Sequence, residues 1–178
     1  MMKFSRAWNI ANHNTFDIPS IRAFVFYYLG KSNISVDPFA RNKDWATYTN
    51  DLNLDTKAQH HLPAFEFLKM MKSTNTNPDL VIFDPPYSIR QLKECYESAG
   101  IRFNQEMSQS FHWGKEKKII DDILPSGGIV LSFGWNSSGM TRSKGYTIEE
   151  ILMVCHGGAH NDTICLAERK NGKQLKMF

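Results

Sequence analysis

A chain of 178 residues with 42% apolar and 22% charged side chains can build one packed core but is too short for two ordinary domains. The same balance excludes a disordered or fibrous chain. A net charge of +3, from 21 basic against 18 acidic side chains, permits a polyanionic partner without arguing for one. Cys95, Cys155 and Cys165 form no disulfide framework, which fits a reducing compartment. The apolar run 18–29 contains Arg22 and falls short of the roughly 20 residues that a membrane span needs. A soluble protein of the bacterial cytoplasm is expected.

Taken in chain order, helix and strand patterns alternate. Pro19 opens a helix over 18–29 that Gly30 closes. A short strand over 34–37 ends at Pro38, which cannot donate to a ladder. A second strand, 46–49, runs into the polar turn 50–53, and a brief third near 58–61 leads into a helix over 63–72 with Phe65, Leu68 and Met71 at helical spacing. Residues 79–83 are the strongest strand in the sequence, apolar almost throughout and so expected to be buried on both faces. Ser88 then reads as an N-cap for a helix to about 98, stopped by Gly100. A helix over 113–124, the Pro125-Ser126-Gly127-Gly128 turn and a buried strand 129–133 follow. Strands at 150–155 and 163–169 form a hairpin, expected as an antiparallel edge on a parallel sheet. The pattern as a whole predicts an α/β fold.

Asp84-Pro85-Pro86-Tyr87 follows the strongest strand. In an open α/β sheet, ligands sit in the crevice beyond the carboxyl ends of the strands. Two prolines fix φ twice and remove two backbone donors, so the carbonyls are left to accept. The Asp84 carboxylate, the Pro85 carbonyl and the Tyr87 ring then suit an amino group on a flat ring: acceptors for its two N–H bonds and a face for stacking. Holding those hydrogens on acceptors lets the delocalised nitrogen pyramidalise as it attacks an activated methyl group, by positioning and electrostatics alone. The competing reading is a rigid strand-to-helix turn with Tyr87 in the core.

On these residues the chain resembles the amino-methyltransferases that act on adenine or cytosine in DNA. It looks in particular like the short adenine-N6 methyltransferase-like proteins of phages and prophages. Asp84-Pro85-Pro86-Tyr87 matches their catalytic motif at all four positions, and the likeness runs from about residue 14 to 169. The resemblance implies a Rossmann-like S-adenosylmethionine-dependent methyltransferase fold, mostly parallel with an antiparallel C-terminal hairpin. It also implies one catalytic domain over 1–178 without a separate target-recognition domain. Val36-Asp37-Pro38-Phe39-Ala40 resembles the start of the cofactor motif, with Asp37 and Phe39 at the methionine and sulfonium end. Asn14-Thr15-Phe16 resembles the segment that closes over the methionine moiety; otherwise Thr15 is a polar loop residue. Asp51 would bond the ribose hydroxyls, as an acid ending the next strand does in dinucleotide folds, although its spacing from Asp37 is short and a solvated turn Asp is the alternative.

The chain departs from that family at three points. Arg41 and Asn42 stand where two glycines usually continue the cofactor loop; Arg41 would compensate by a bidentate contact to the methionine carboxylate. Pro63 stands where an Asp often contacts the cofactor adenine. Finally, substrate reading is left to two loops, one with Phe111, His112 and Trp113 beside lysines, the other with Trp135, Asn136, Arg142 and Lys144. Aromatics beside cations suit an extruded base or a single strand, while ordinary surface loops are the alternative. Specificity would then be low, or supplied by a partner or a homodimer. Cys155, His156, His160 and Cys165 lack the close pairs of a zinc site and read as core thiols and a turn, so no metal is expected. The expected reaction is methyl transfer from S-adenosylmethionine to N6 of adenine in DNA. Cytosine N4 and adenine in RNA are neighbouring readings. A non-catalytic nucleic-acid-binding or host-interaction protein that keeps the fold is the reading from another class.

Overall fold

A computed structural model describes residues 1–104, 113–140, 145–158 and 160–172. Seven strands form one sheet: β1 (Lys3–Trp8), β2 (Ser35–Asp37), β3 (Tyr48–Thr49), β4 (Leu80–Phe83), β5 (Ile129–Gly134), β6 (Tyr146–Cys155) and β7 (Thr163–Lys170). Their order across the sheet is β1-β6-β7-β5-β4-β2-β3, and only β7 runs against its neighbours. Among the described residues the helices are α1 (Pro19–Leu29), α2 (Ala64–Ser73), α3 (Ile89–Ser98) and α4 (Gly114–Ile123), with a 3-10 turn at Thr15–Asp17. Ser88 caps α3, its hydroxyl accepting from the Gln91 amide at 3.2 Å, as its residue type requires. No described helix is long and apolar enough to cross a membrane.

Both faces of the sheet centre are covered, which is why the central strands carry unbroken apolar runs. Alternation along β5 divides the core: Leu131 and Phe133 join Ile21, Val25, Val154 and Cys165 beneath α1, while Val130 joins Val36, Val81, Phe67, Leu68 and Ile120 beneath α2 and α4. The mixed α/β sheet with its reversed β7 is the Rossmann-like methyltransferase architecture.

Three expectations need correcting. β1 was not anticipated: Lys3, Ser5 and Ala7 alternate with Phe4, Arg6 and Trp8, so neither set is cleanly apolar, yet the strand pairs in parallel with β6 from Lys3–Glu150 to Trp8–Cys155. The C-terminal hairpin is consequently not the edge of the sheet; β6 lies between β7 and β1. The third strand near 58–61 reduces to one bridge, Asn50 to His60, because the polar side chains there pair locally with Thr49 and Asn50 instead of extending a ladder.

Candidate active site

The carboxyl ends of β2, β3, β4 and β5 open on one crevice. Asp37 ends β2 almost fully buried, and its Oδ1 accepts the Phe39 amide at 2.9 Å. Burial pushes its carboxyl well up, reinforced by the charges of Asp84 and Asp51. Asn50 is wholly buried and knots the loop: its amide donates to the Pro38 carbonyl at 3.1 Å and the Leu62 carbonyl at 2.9 Å, and its oxygen accepts from the Leu62 amide at 3.0 Å. Ala40, also buried, donates its amide to the Asn50 carbonyl at 2.8 Å.

The loop without glycines closes by another device. Arg41 adopts φ 50°, the left-handed conformation that glycine takes freely, at a cost on the order of 1–3 kcal/mol for a larger residue. Asp51 offsets that cost by accepting the Arg41 amide at 3.0 Å on one oxygen while the Asn53 amide binds the other at 2.9 Å. The Arg41 guanidinium reaches across to the His13 carbonyl at 2.8 Å and the Asn14 side-chain oxygen at 2.9 Å. Arg41 thus ties the segment before α1 to the β2 loop. Arg41→Ala is expected to free that segment and weaken S-adenosylhomocysteine binding about tenfold in calorimetry; an unchanged affinity would remove the role.

At the end of β4 the Asp84 carboxylate accepts the Tyr87 hydroxyl in a short bond, and the Thr15 hydroxyl lies 3.5 Å from that of Tyr87. Tyr87 packs against the α1-side core and meets Trp135 edge-to-face, with ring centroids 5.7 Å apart. The Tyr87 amide is held by Gln91 Oε1 at 2.6 Å, so the corner continues straight into α3. Burial raises the Asp84 pKa to about 6; the bonds from Tyr87 and Thr15 and the Arg41 charge hold it from rising further. Tyr87→Phe removes a donor to the charged form and should push that value up. Any activity that needs the carboxylate would then lose its acidic limb at higher pH than in the wild type, in a pH–rate profile.

Asp84 stands where two cavities meet. One, about 550 Å³, is lined by Thr15, Phe16, Pro38, Phe39, Ala40, Arg41 and Asp51 and reaches Pro63 and Trp113. The other is an open groove of about 580 Å³ running from Asp84, Pro85, Pro86 and Tyr87 past Trp135 to His156 and His160. A smaller pocket of about 220 Å³ lies between Pro85, Tyr87, Trp113, Trp135 and Asn136. Of the residues singled out from the sequence, Asp37 lines none of these spaces; it supports the loop from beneath. Trp113 is half-buried against Phe39 and Phe83 rather than displayed on a loop. Arg142 and Lys144, like Phe111 and His112, lie outside the described residues.

Two features escaped the sequence reading. Asn50 is one. The other is a clamp under the loop that carries Trp135 and Asn136: buried Glu168 accepts the Met140 amide at 2.9 and 3.0 Å and the Ser132 hydroxyl at 3.0 Å, while Lys117 donates to the Gly139 carbonyl at 2.7 Å. A Glu inside an otherwise apolar strand, Leu166-Ala167-Glu168, was the available signal.

No protein-family model matches the sequence, and no curated protein matches it. Solved structures do share the fold. SMU.776, solved in complex with SAH and described as a methyltransferase, aligns with a TM-score of 0.56 at 12% identity, over 83% of this chain and 49% of its own. TrmN from Thermus thermophilus aligns at 0.53 and 14% identity, over 86% and 49%. A hypothetical protein of Thermus thermophilus, TTHA0928, aligns at 0.52 and 12% identity, over 93% of both chains. The chain spans about half the length of the first two. At such identities the likeness is one of fold, and the fold is that of the methyltransferases.

Proposed function

We propose that this protein transfers the methyl group of S-adenosylmethionine to the exocyclic N6 amine of adenine in DNA. The observation that carries the reading is the position of Asp84, a carboxylate that lines both a cavity of about 550 Å³ and the groove adjoining it.

The cavity of about 550 Å³ falls within the usual range of small-molecule sites, roughly 300–1,000 Å³. Its lining fits the cofactor: Phe16, Phe39 and Leu62 offer apolar faces, and the carboxylates of Asp51 and Asp84 favour ribose hydroxyls and a cationic sulfonium. When bound there, S-adenosylmethionine supplies the electrophilic methyl group. On the groove side, a carboxylate has about four acceptor sites, so the Tyr87 hydroxyl leaves Asp84 free to take an amine N–H. The Pro85 carbonyl accepts the second. Tyr87 and Trp135 offer rings to a base extruded from its stack. As the N–C bond forms, the methyl–sulfur bond of the sulfonium breaks, and the N–H proton that the amine gives up would pass to the Asp84 carboxylate or out along the groove.

Incubation with labelled S-adenosylmethionine and unmethylated DNA, followed by nucleoside analysis, tests this. Label in N6-methyladenine is expected. Label in N4-methylcytosine, or in RNA alone, would replace the substrate. No incorporation together with no S-adenosylhomocysteine binding would overturn the enzyme reading.

A further inference from the structure

Among the described residues, nothing covers one face of the sheet at its β1 end. Lys3, Ser5 and Ala7 point toward α1: Ala7 packs on its core, and Lys3 pairs with Glu150 at 2.7 Å, the residue that accepts the Tyr28 hydroxyl at 3.0 Å. Phe4, Arg6 and Trp8 therefore point the other way. The core beneath α2 and α4 includes no residue of β1, and Phe4 and Trp8 stand 59% and 66% exposed. Between β5 and β6, where a helix would cover this face, the described residues form only bends and turns.

What is displayed is specific. Two flat aromatic side chains lie four residues apart on one face, about 13 Å along the strand, with a cation midway. The Arg6 guanidinium lies 5.7 Å from the Trp8 ring centroid, and among the described residues Arg6 joins no ion pair. Aromatic rings that alternate with an unpaired cation on an open sheet suit stacking on unpaired bases and neutralising the phosphate between them.

The platform adjoins the groove through the His156–Gly157 turn. β1 runs parallel to β6, so Trp8 lies at the same end of the sheet as Asp84. A side chain at Gly157 would touch the Trp8 ring, and the adjoining His156 ring bonds the Asn9 carbonyl and the Thr163 hydroxyl, each at 2.9 Å. His156, His160, Asn12 and His13 then line the groove that reaches Asp84. Four strand spacings separate β4 from β1, roughly 19 Å. A platform there would engage nucleotides several positions from a base held at Asp84, not its immediate neighbours.

We propose that Phe4, Arg6 and Trp8 form a stacking platform for single-stranded nucleic acid, leading away from the groove that holds the methylated base. The chemistry of the platform stands on its own; the path to the groove rests on the function proposed above. The test is fluorescence anisotropy of labelled 16-nucleotide and 4-nucleotide single DNA strands on the full chain. Wild type should bind the longer strand more tightly. Phe4→Ala and Trp8→Ala should each weaken the 16-nucleotide strand about tenfold and leave the 4-nucleotide strand unchanged, with melting temperature retained. Arg6→Gln should lower the slope of log affinity against log salt by about one. Wild-type affinity for the long strand in Phe4→Ala and Trp8→Ala overturns the platform, as does equal loss on both lengths. So does a concentration-dependent dimer in sedimentation that those variants abolish without loss of DNA binding. Platform-dependent binding without methyl incorporation overturns the proposed reaction and leaves the platform standing.

Discussion

Asp84→Ala is expected to reduce methyl incorporation into DNA about a thousandfold while S-adenosylhomocysteine still binds. Removing one preorganised group that stabilises developing charge typically costs roughly 10²–10³ in rate, and here the lost group also orients the amine. The wild type carries the pH signature of that group. With its pKa raised to about 6, the carboxylate is charged at pH 7 and protonated below about 6, so the rate should fall as pH drops through that value. Stability should move the opposite way. A carboxyl whose folded value lies above its ordinary 3.8 favours the fold fully below about 4 and loses that contribution as pH rises through about 6. Asp84→Asn should therefore unfold at higher urea than wild type at pH 7.5 and show no such advantage at pH 3.5. A variant that is inactive but no more stable would mean that Asp84 is not held at the expense of the fold. An Asp84→Ala enzyme with ordinary turnover would remove the residue from the chemistry.

The second large effect concerns Gly139. Its φ is +45°, and a Cβ there would overlap the Glu168 carboxylate. Gly139→Ala must strain the backbone and drive that carboxylate from the Met140 amide and the Ser132 hydroxyl, leaving buried polar groups unpaired. Strain of about 1–3 kcal/mol and a similar desolvation cost together predict a loss of about 3 kcal/mol or more. For a chain of this size, that is roughly a 10 °C drop in melting temperature by circular dichroism. Because the same loop carries Trp135 and Asn136, KM for DNA should rise while S-adenosylhomocysteine affinity holds. A melting temperature within about 2–3 °C of wild type would show that the loop relaxes around the methyl group and that the clamp is not rigid.

Much of this was legible in the residues. The apolar run ending at Asp84 marked the central strand, the Ser88 cap fixed the start of α3, and the double proline marked the corner where the cavities meet. What escaped lay in long-range pairing. β1 is partly polar on both faces, and only the parallel ladder to Glu150–Cys155 makes it a strand. The weak third strand failed because Thr49 and Asn50 engage Gln59 and Leu62 through side chains. The residue type of Arg41 is visible in the sequence, whereas its left-handed backbone and the bond of its guanidinium to the segment before α1 are not.

The pairing of β1 with β6 also sets an order of events during synthesis. β1 leaves the ribosome long before β6, its neighbour in the sheet, is made. Contacts of such sequence separation form slowly, because a long loop must close before they reward it. Until β6 docks on β7, the Phe4 and Trp8 rings belong to an unpaired strand with a free edge, the kind of segment that nascent chains most readily misassociate through. Lys3 and Arg6 are then gatekeepers, keeping that edge soluble through the wait.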